Sequence, residues 1–141
     1  MGKINVGRVI LGGIVAGVVA DVLDYPVDSL WLAPRWARDM DLLEKHIFSA
    51  NTWIGFDLLG ILGGLVAIWL YAAIRPRFGP GVKTAIYAGL AVWILGTLLP
   101  NASFMCVAGL FSKHLAFYTT AGGLVEVVVG TIVGAWLYKE A

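Results

Sequence analysis

The stretch GGIVAGVVADVLDYPVD, residues 12–28, places three aspartates in an otherwise apolar run. In a helix, residues spaced by three, four and seven positions share a face. Two glycines and three aspartates fall on such a stripe: Gly13, Gly17, Asp21, Asp24 and Asp28. Helices in lipid pack through small residues, and acids inside a membrane face the bundle interior. If the run spans a membrane, the stripe predicts a packing face that also carries carboxylates.

The composition is that of an integral membrane protein. The chain has 141 residues, of which 60% are hydrophobic and 13% are charged, whereas soluble domains are about half apolar and a quarter charged. A net charge of +1 gives no basic surface for nucleic acid, which is not an expected partner. The single cysteine, Cys106, excludes an intramolecular disulfide and a cysteine-based metal cluster.

Four apolar stretches are long enough to cross a bilayer, which needs about 20 residues. They predict one all-α domain, a four-transmembrane-helix bundle, with spans at 8–30, 50–74, 83–110 and 115–138 and an outer loop at 31–49. The apolar run near the N-terminus continues into acids, so we interpret it as a retained helix. Pro100 leaves two alternatives for the third span, because proline removes a backbone donor: the helix is kinked there or ends there.

Basic residues predict the orientation of the spans. Six of them flank one side: Lys3, Arg8, Arg75, Arg77, Lys83 and Lys139. Four flank the other: Arg35, Arg38, Lys45 and Lys113. Because lysine and arginine favour the cytoplasmic side, we expect both termini in the cytoplasm.

The loop at 31–49 has apolar residues at helical spacing. Trp36, Met40, Leu43 and Ile47 would share one face, which favours a short helix lying at the outer surface. A solvated loop is the alternative.

A weak internal repeat is visible. AIWLY (67–71) closes the second span and GAWLY (134–138) closes the fourth, while Pro26 and Pro100 lie in the outer parts of the first and third. These similarities indicate two parallel two-helix repeats related by an axis along the membrane normal. Chance similarity at a membrane interface is the alternative.

The other spans carry stripes of the same kind. The second has Asp57, Gly60 and Gly64, and the fourth has Gly122, Glu126, Gly130 and Gly134. The predicted packing glycines are therefore Gly13, Gly17, Gly60, Gly64, Gly122, Gly130 and Gly134. The predicted intramembrane acidic cluster is Asp21, Asp24, Asp57 and Glu126. Glu126 and Asp21 would be neighbours near mid-membrane, in an interior that opens outward and is closed on the cytoplasmic side, and Asp28 would lie at the outer interface.

The negative charge of these acids needs compensation, because an ionised carboxylate in lipid is unfavourable by several kcal/mol or more. Apart from Arg8 and Lys83 at their first residues, the predicted spans contain no Lys, Arg or His. The acids could be protonated and hydrogen-bonded, bind a cation, or pair with a basic residue of another subunit. His46 and His114 lie outside the spans, so haem ligation is not expected. No catalytic motif or metal site is predicted, and the sequence identifies no cofactor.

Three segments carry a resemblance: GRVILGGIVAGVV (7–19), AIWLYAAIRPRFGPGVKTAIYAGLAVW (67–93) and GLVEVVVGTIVGAWLYKE (123–140). They resemble a widespread group of uncharacterised small bacterial four-transmembrane-helix proteins. The resemblance implies a bacterial inner (cytoplasmic) membrane and four spans, and it implies no activity.

Two functions follow as hypotheses. The first is a non-enzymatic accessory or structural subunit of a larger membrane complex of respiratory or photosynthetic type. The alternative is a small carrier or ligand-binding protein whose acidic cavity handles protons or a cationic solute. The expected partners are the lipid bilayer and either other membrane subunits or further copies of the chain.

Overall fold

The computed structural model describes residues 3–43, 50–107 and 110–140, and this part of the chain is almost entirely helical. Helix α1 (Val6–Asp24) continues as a π-helical segment, Tyr25–Trp31, and α2 is the short helix Ala33–Asp41. Helix α3 is Ala50–Phe78. Helix α4 (Val82–Trp93) continues through a second π-helical segment, Ile94–Leu98, into α5 (Leu99–Met105), and α6 is Lys113–Trp136.

The all-α four-helix architecture predicted from the sequence is confirmed. Within the described ranges, four helical segments are long and apolar enough to cross a membrane: Val6–Trp31, Asn51–Phe78, Val82–Met105 and Lys113–Trp136. We refer to these as the first to fourth spans. The terminal end of the bundle carries Asn5, Gly79–Gly81 and Tyr138, and the opposite end, which carries α2, is the α2 end.

Two span limits differ from the predicted ones by more than two residues. The third span passes through Pro100 and ends at Met105, not at 110, so the helix does not end at the proline. The π-helical segment directly before Pro100 accommodates the missing backbone donor by widening the turn. The second span extends beyond residue 74 through Pro76 to Phe78.

Helix α1 packs against α3 and α6 by direct backbone contact. A Cβ atom added to Gly64 of α3 would overlap the carbonyl oxygen of Gly13 and the amide nitrogen of Gly17. On the other side of α1, a Cβ on Gly130 would lie 2.5 Å from the Ala16 carbonyl oxygen. Gly13, Gly17, Gly64 and Gly130 therefore lie where helices meet backbone to backbone, as close packing through small residues in lipid requires.

Close packing continues at the terminal end. Ile68 and Ala88 are fully buried there, together with Ala72 and Ala85. The rings of Tyr71 and Tyr138 meet edge to face with centroids 5.8 Å apart. This end of the bundle is therefore filled by side chains, as the sequence leads us to expect of the side that carries both termini.

The two tyrosines make equivalent hydrogen bonds to opposite halves of the chain. The Tyr71 hydroxyl accepts from the Gly81 backbone N–H (3.2 Å), just before α4. The Tyr138 hydroxyl accepts from the Asn5 backbone N–H (3.3 Å), just before α1. Each repeat thus holds the start of the other one, as a two-fold axis along the membrane normal requires.

Buried positions also recur between the two halves at constant offsets. In α3 and α6 the pairs are Gly64 and Thr131, Ala67 and Gly134, Ile68 and Ala135, and Tyr71 and Tyr138. In α1 and α4 they are Val9 and Ala85, Gly12 and Ala88, and Gly13 and Gly89. This agreement supports the parallel two-helix repeat.

Of the two alternatives for the outer loop, the helix is present as α2, while Ile47 lies outside the described residues. Asp39 of α2 is buried and its Oδ2 accepts from the Ser112 backbone N–H at 2.8 Å. Ser112 in turn is the N-cap of α6. Backbone N–H groups at the start of a helix have no carbonyl partner inside the helix, and the Asp39 carboxylate accepts from one of these groups at the start of α6. This bond attaches α2 to the bundle.

The glycine contacts lead to a direct test. Gly64→Ala is expected to lower the free energy of unfolding by about 1–3 kcal/mol, because a methyl group must displace the α1 backbone. Gly63→Ala is the matched control, since nothing lies within 4 Å of a Cβ at that position, and it should not destabilise the protein. Unfolding in mixed detergent micelles, followed by tryptophan fluorescence, measures both variants. Equal destabilisation by the two changes would contradict the packing described here.

Candidate functional site

A cavity of about 520 Å³ occupies the half of the bundle toward the α2 end. Its deepest lining residues are Ala16, Ala67 and Thr131, which border the packed terminal end. Small residues leave space along its walls: no atom lies within 4 Å of a Cβ placed on Gly63 or Gly96. The cavity therefore exists because the helices converge at one end and are separated by unfilled space at the other.

Five carboxylates line this cavity. Asp21, Asp24 and Asp28 come from the first span, Asp57 from the second and Glu126 from the fourth. No lysine, arginine or histidine is found among the described lining residues. All four acids predicted as a cluster thus border one space, which has no basic side chain to balance them.

Asp21 lies against α3. Its carboxylate occupies the position that a Cβ atom on Gly60 would take. The sequence identifies Gly60 as a packing glycine, and its main effect in the structure is to admit this carboxylate between the helices. Asp57, three residues earlier on α3, also borders the cavity, but its side chain is exposed.

Asp24, Asp28 and Glu126 form a trio. One carboxylate oxygen from each lies within 4.8 Å of the others. This arrangement corrects one expectation: Asp28 belongs to the site instead of lying apart at the outer interface.

The π-helical segment that begins at Tyr25 gives the physical reason for this correction. A wider turn advances more slowly around the helix axis than an α-helical turn. Asp28 therefore stays on the side of Asp24, facing α6, and does not rotate round toward Asp21. The sequence shows Pro26 at this point, but a proline alone does not reveal whether a helix bends, ends or widens.

Glu126 is the most enclosed of these acids. Only 9% of its surface is exposed, and its Oε1 atom has no hydrogen-bond partner among the described residues. A Cβ on Gly122 would lie 3.1 Å from that oxygen and 3.3 Å from Val27 Cγ1, so this glycine leaves room for both groups. A buried polar atom without a partner is rare and unfavourable, which makes Glu126 the strongest indication of a site.

Trp36 of α2 reaches the same acids, which the sequence did not predict. Its indole Nε1–H donates to Asp28 Oδ1 at 2.7 Å. The ring also meets Phe111 edge to face, with centroids 5.8 Å apart. The only sequence signal was the apolar face expected for the surface helix, which marks Trp36 as inward-facing but does not identify its partner.

The polar groups on the side of the third span are already paired. Asn101 Nδ2 donates to Thr120 Oγ1 at 2.8 Å, and Trp93 Nε1 donates to the Thr120 carbonyl oxygen at 2.9 Å. These bonds join the third span to α6. We therefore assign Asn101 and Trp93 to structural support and not to ligand binding.

His114 does not contribute to this site. It is exposed in the first turn of α6 and does not line the cavity, and His46 lies outside the described residues.

Comparison of the chain with protein-family models, with curated proteins and with solved structures finds no match.

A stability measurement tests whether Glu126 is a ligand group or a structural one. Glu126→Gln keeps the shape of the side chain and removes the carboxylate. We expect the ligand-free variant to unfold with the same free energy or one up to about 3 kcal/mol higher, because no partner is lost and an unpaired acid is removed. Asp41→Asn, at an exposed carboxylate of α2, is the control and should change by less than about 0.5 kcal/mol. A loss above about 1 kcal/mol in Glu126→Gln alone would show that the carboxylate makes stabilising bonds.

Proposed function

We propose that this multi-pass membrane protein binds a cation in the cavity at its α2 end and acts as a small carrier or ligand-binding protein. The observation that carries this proposal is the buried Glu126 carboxylate, which lacks a hydrogen-bond partner among the described residues and faces a space lined by four further acids. A bound cation would balance the negative charge of this carboxylate, since a carboxylate inside a membrane is tolerated only when it is neutralised or paired.

The dimensions and walls of the cavity fit a small cationic solute. A volume of about 520 Å³ lies within the range of small-molecule sites, which are mostly apolar with a few polar groups. Tyr25, Trp53 and Phe56 contribute aromatic surface beside the acids, and aromatic faces attract cations. Acids and rings together favour a positively charged occupant over a neutral one.

We propose binding or transport in preference to catalysis. Proton transfer between two acids is feasible, but no histidine, cysteine or lysine is found among the described lining residues to complete a catalytic group. We also prefer this role to that of an accessory subunit of a respiratory or photosynthetic complex. A purely structural subunit gains nothing from an enclosed acid without a partner, which lowers stability.

The proposed setting is a bacterial inner membrane with both termini in the cytoplasm. The excess of basic residues at the terminal end supports this orientation through the positive-inside rule. The cavity would then lie in the half of the bundle nearer the periplasm.

The cation hypothesis is tested by thermal unfolding of the purified full chain at constant ionic strength. Choline, sodium and magnesium chlorides represent organic, monovalent and divalent cations. At a ligand concentration of one hundred times Kd, binding stabilises the folded state by about 2.7 kcal/mol, so at least one salt should raise the unfolding midpoint. Glu126→Gln should lose most of this rise, and Asp41→Asn should keep it. The absence of a rise with all three salts, or an equal rise in Glu126→Gln, would end the proposal.

The orientation is tested with the single native cysteine. Cys106 is exposed at the α2 end, so a membrane-impermeant maleimide should label it in intact spheroplasts. In a Cys106→Ser background, a cysteine replacing the exposed Lys139 at the terminal end should react only after the membrane is broken. The reverse pattern would place the termini outside.

A further inference from the structure

We propose that Asp24, Asp28 and Glu126 bind one hard divalent cation, of the class of Mg²⁺, Mn²⁺ or Ca²⁺. This inference rests on the proposed cation-binding function and specifies the kind of cation. The sequence alone predicts no such ligand set, because Asp24 and Asp28 of the first span meet Glu126 of the fourth span only in the folded bundle.

The spacing of the oxygens fits one ion. A carboxylate oxygen from each residue lies within 4.8 Å of the other two. Mg²⁺ and Ca²⁺ bind oxygens at about 2.0–2.6 Å, so two ligands on opposite sides of one ion are about 4–5 Å apart. An ion placed among the three carboxylates can therefore contact all of them with small adjustments of the side chains.

The donor set selects the type of ion. All three ligands are carboxylates, and no histidine or cysteine is found among the described residues that line the cavity. Carboxylate and water oxygens suit Mg²⁺, Ca²⁺ and Mn²⁺, whereas imidazole and thiolate favour zinc and copper. A divalent ion also offsets more of the negative charge of the trio than a monovalent ion does. The remaining volume of the cavity leaves room for the waters that Mg²⁺ usually retains.

Two observations beyond the clustering of acids point to a ligand. Glu126 exposes 9% of its surface, and its Oε1 has no partner among the described residues, so the acid is enclosed without compensation. The Trp36 indole N–H donates to Asp28 Oδ1 at 2.7 Å, which fixes the orientation of this carboxylate beside Asp24 and Glu126. Outer hydrogen bonds of this kind orient metal-binding carboxylates, and their loss typically lowers metal affinity 10–100-fold.

Manganese binding measured by electron paramagnetic resonance tests the site, with the full chain in detergent and Mn²⁺ as the probe. Wild-type protein should take up about one Mn²⁺ per chain, as the three-carboxylate geometry requires. Glu126→Gln and Asp28→Asn should each weaken binding at least about tenfold, and Trp36→Phe should weaken it by about tenfold through the lost orienting bond. Asp41→Asn should leave the affinity unchanged. Circular dichroism verifies that each variant is folded.

The outcomes separate this inference from the proposed function. If wild-type protein is stabilised by choline or sodium but binds no Mn²⁺, the metal site is wrong and the proposed cation cavity stands. If no cation has any effect, both are wrong. A larger loss of Mn²⁺ affinity in Asp57→Asn than in Asp28→Asn would place the ion at the other acids and overturn the assignment to the trio.

Discussion

Close backbone contact between α1 and its two neighbours is the constraint from which the rest of the bundle follows. Gly13 and Gly17 meet Gly64 on one side, and Ala16 meets Gly130 on the other. With no side chains between them, these helices have one possible separation. The acids one to three turns beyond Gly17 in the first span are carried to the cavity by this contact, and the hydrogen bond from Trp36 then orients Asp28.

The consequence is an uneven distribution of charge between two similar halves. The first half supplies Asp21, Asp24 and Asp28 to the cavity, whereas the corresponding region of the second half supplies neutral groups such as Asn101, whose amide is bonded to Thr119 and Thr120. The wall formed by the third span is therefore internally paired, whereas the other walls carry the carboxylates. Among the described lining residues, Glu126 Oε1 is left as a buried oxygen without a hydrogen-bond partner.

The spans, the glycine stripes and the internal repeat could be predicted because each depends on local spacing in the chain. Gly64 and Tyr71 lie where helical periodicity puts them, and lipid makes small residues an informative marker of packing. The composition of the trio could not be predicted, because it depends on the π-helical segment after Asp24. This segment changes the direction in which the Asp28 side chain projects from the helix, and no residue type in the sequence identifies a π-helical turn. The role of Trp36 could not be predicted for another reason. Its hydrogen bond to Asp28 depends on how α2 folds back onto the first span, and the helical spacing of apolar residues contains no information about that tertiary contact.

The tyrosine pair at the terminal end has a mechanical consequence. The Tyr71 hydroxyl accepts from Gly81 at the start of the second half, and the Tyr138 hydroxyl accepts from Asn5 at the start of the first half. The two halves therefore cannot slide along each other without breaking both hydrogen bonds. At the α2 end, Gly63 and Gly96 face open space, and no side chain bridges the gap there from either residue. The halves are also joined at the α2 end, where Asp39 of α2 accepts from the Ser112 backbone N–H, so a relative movement of the halves has to break hydrogen bonds at both ends of the bundle.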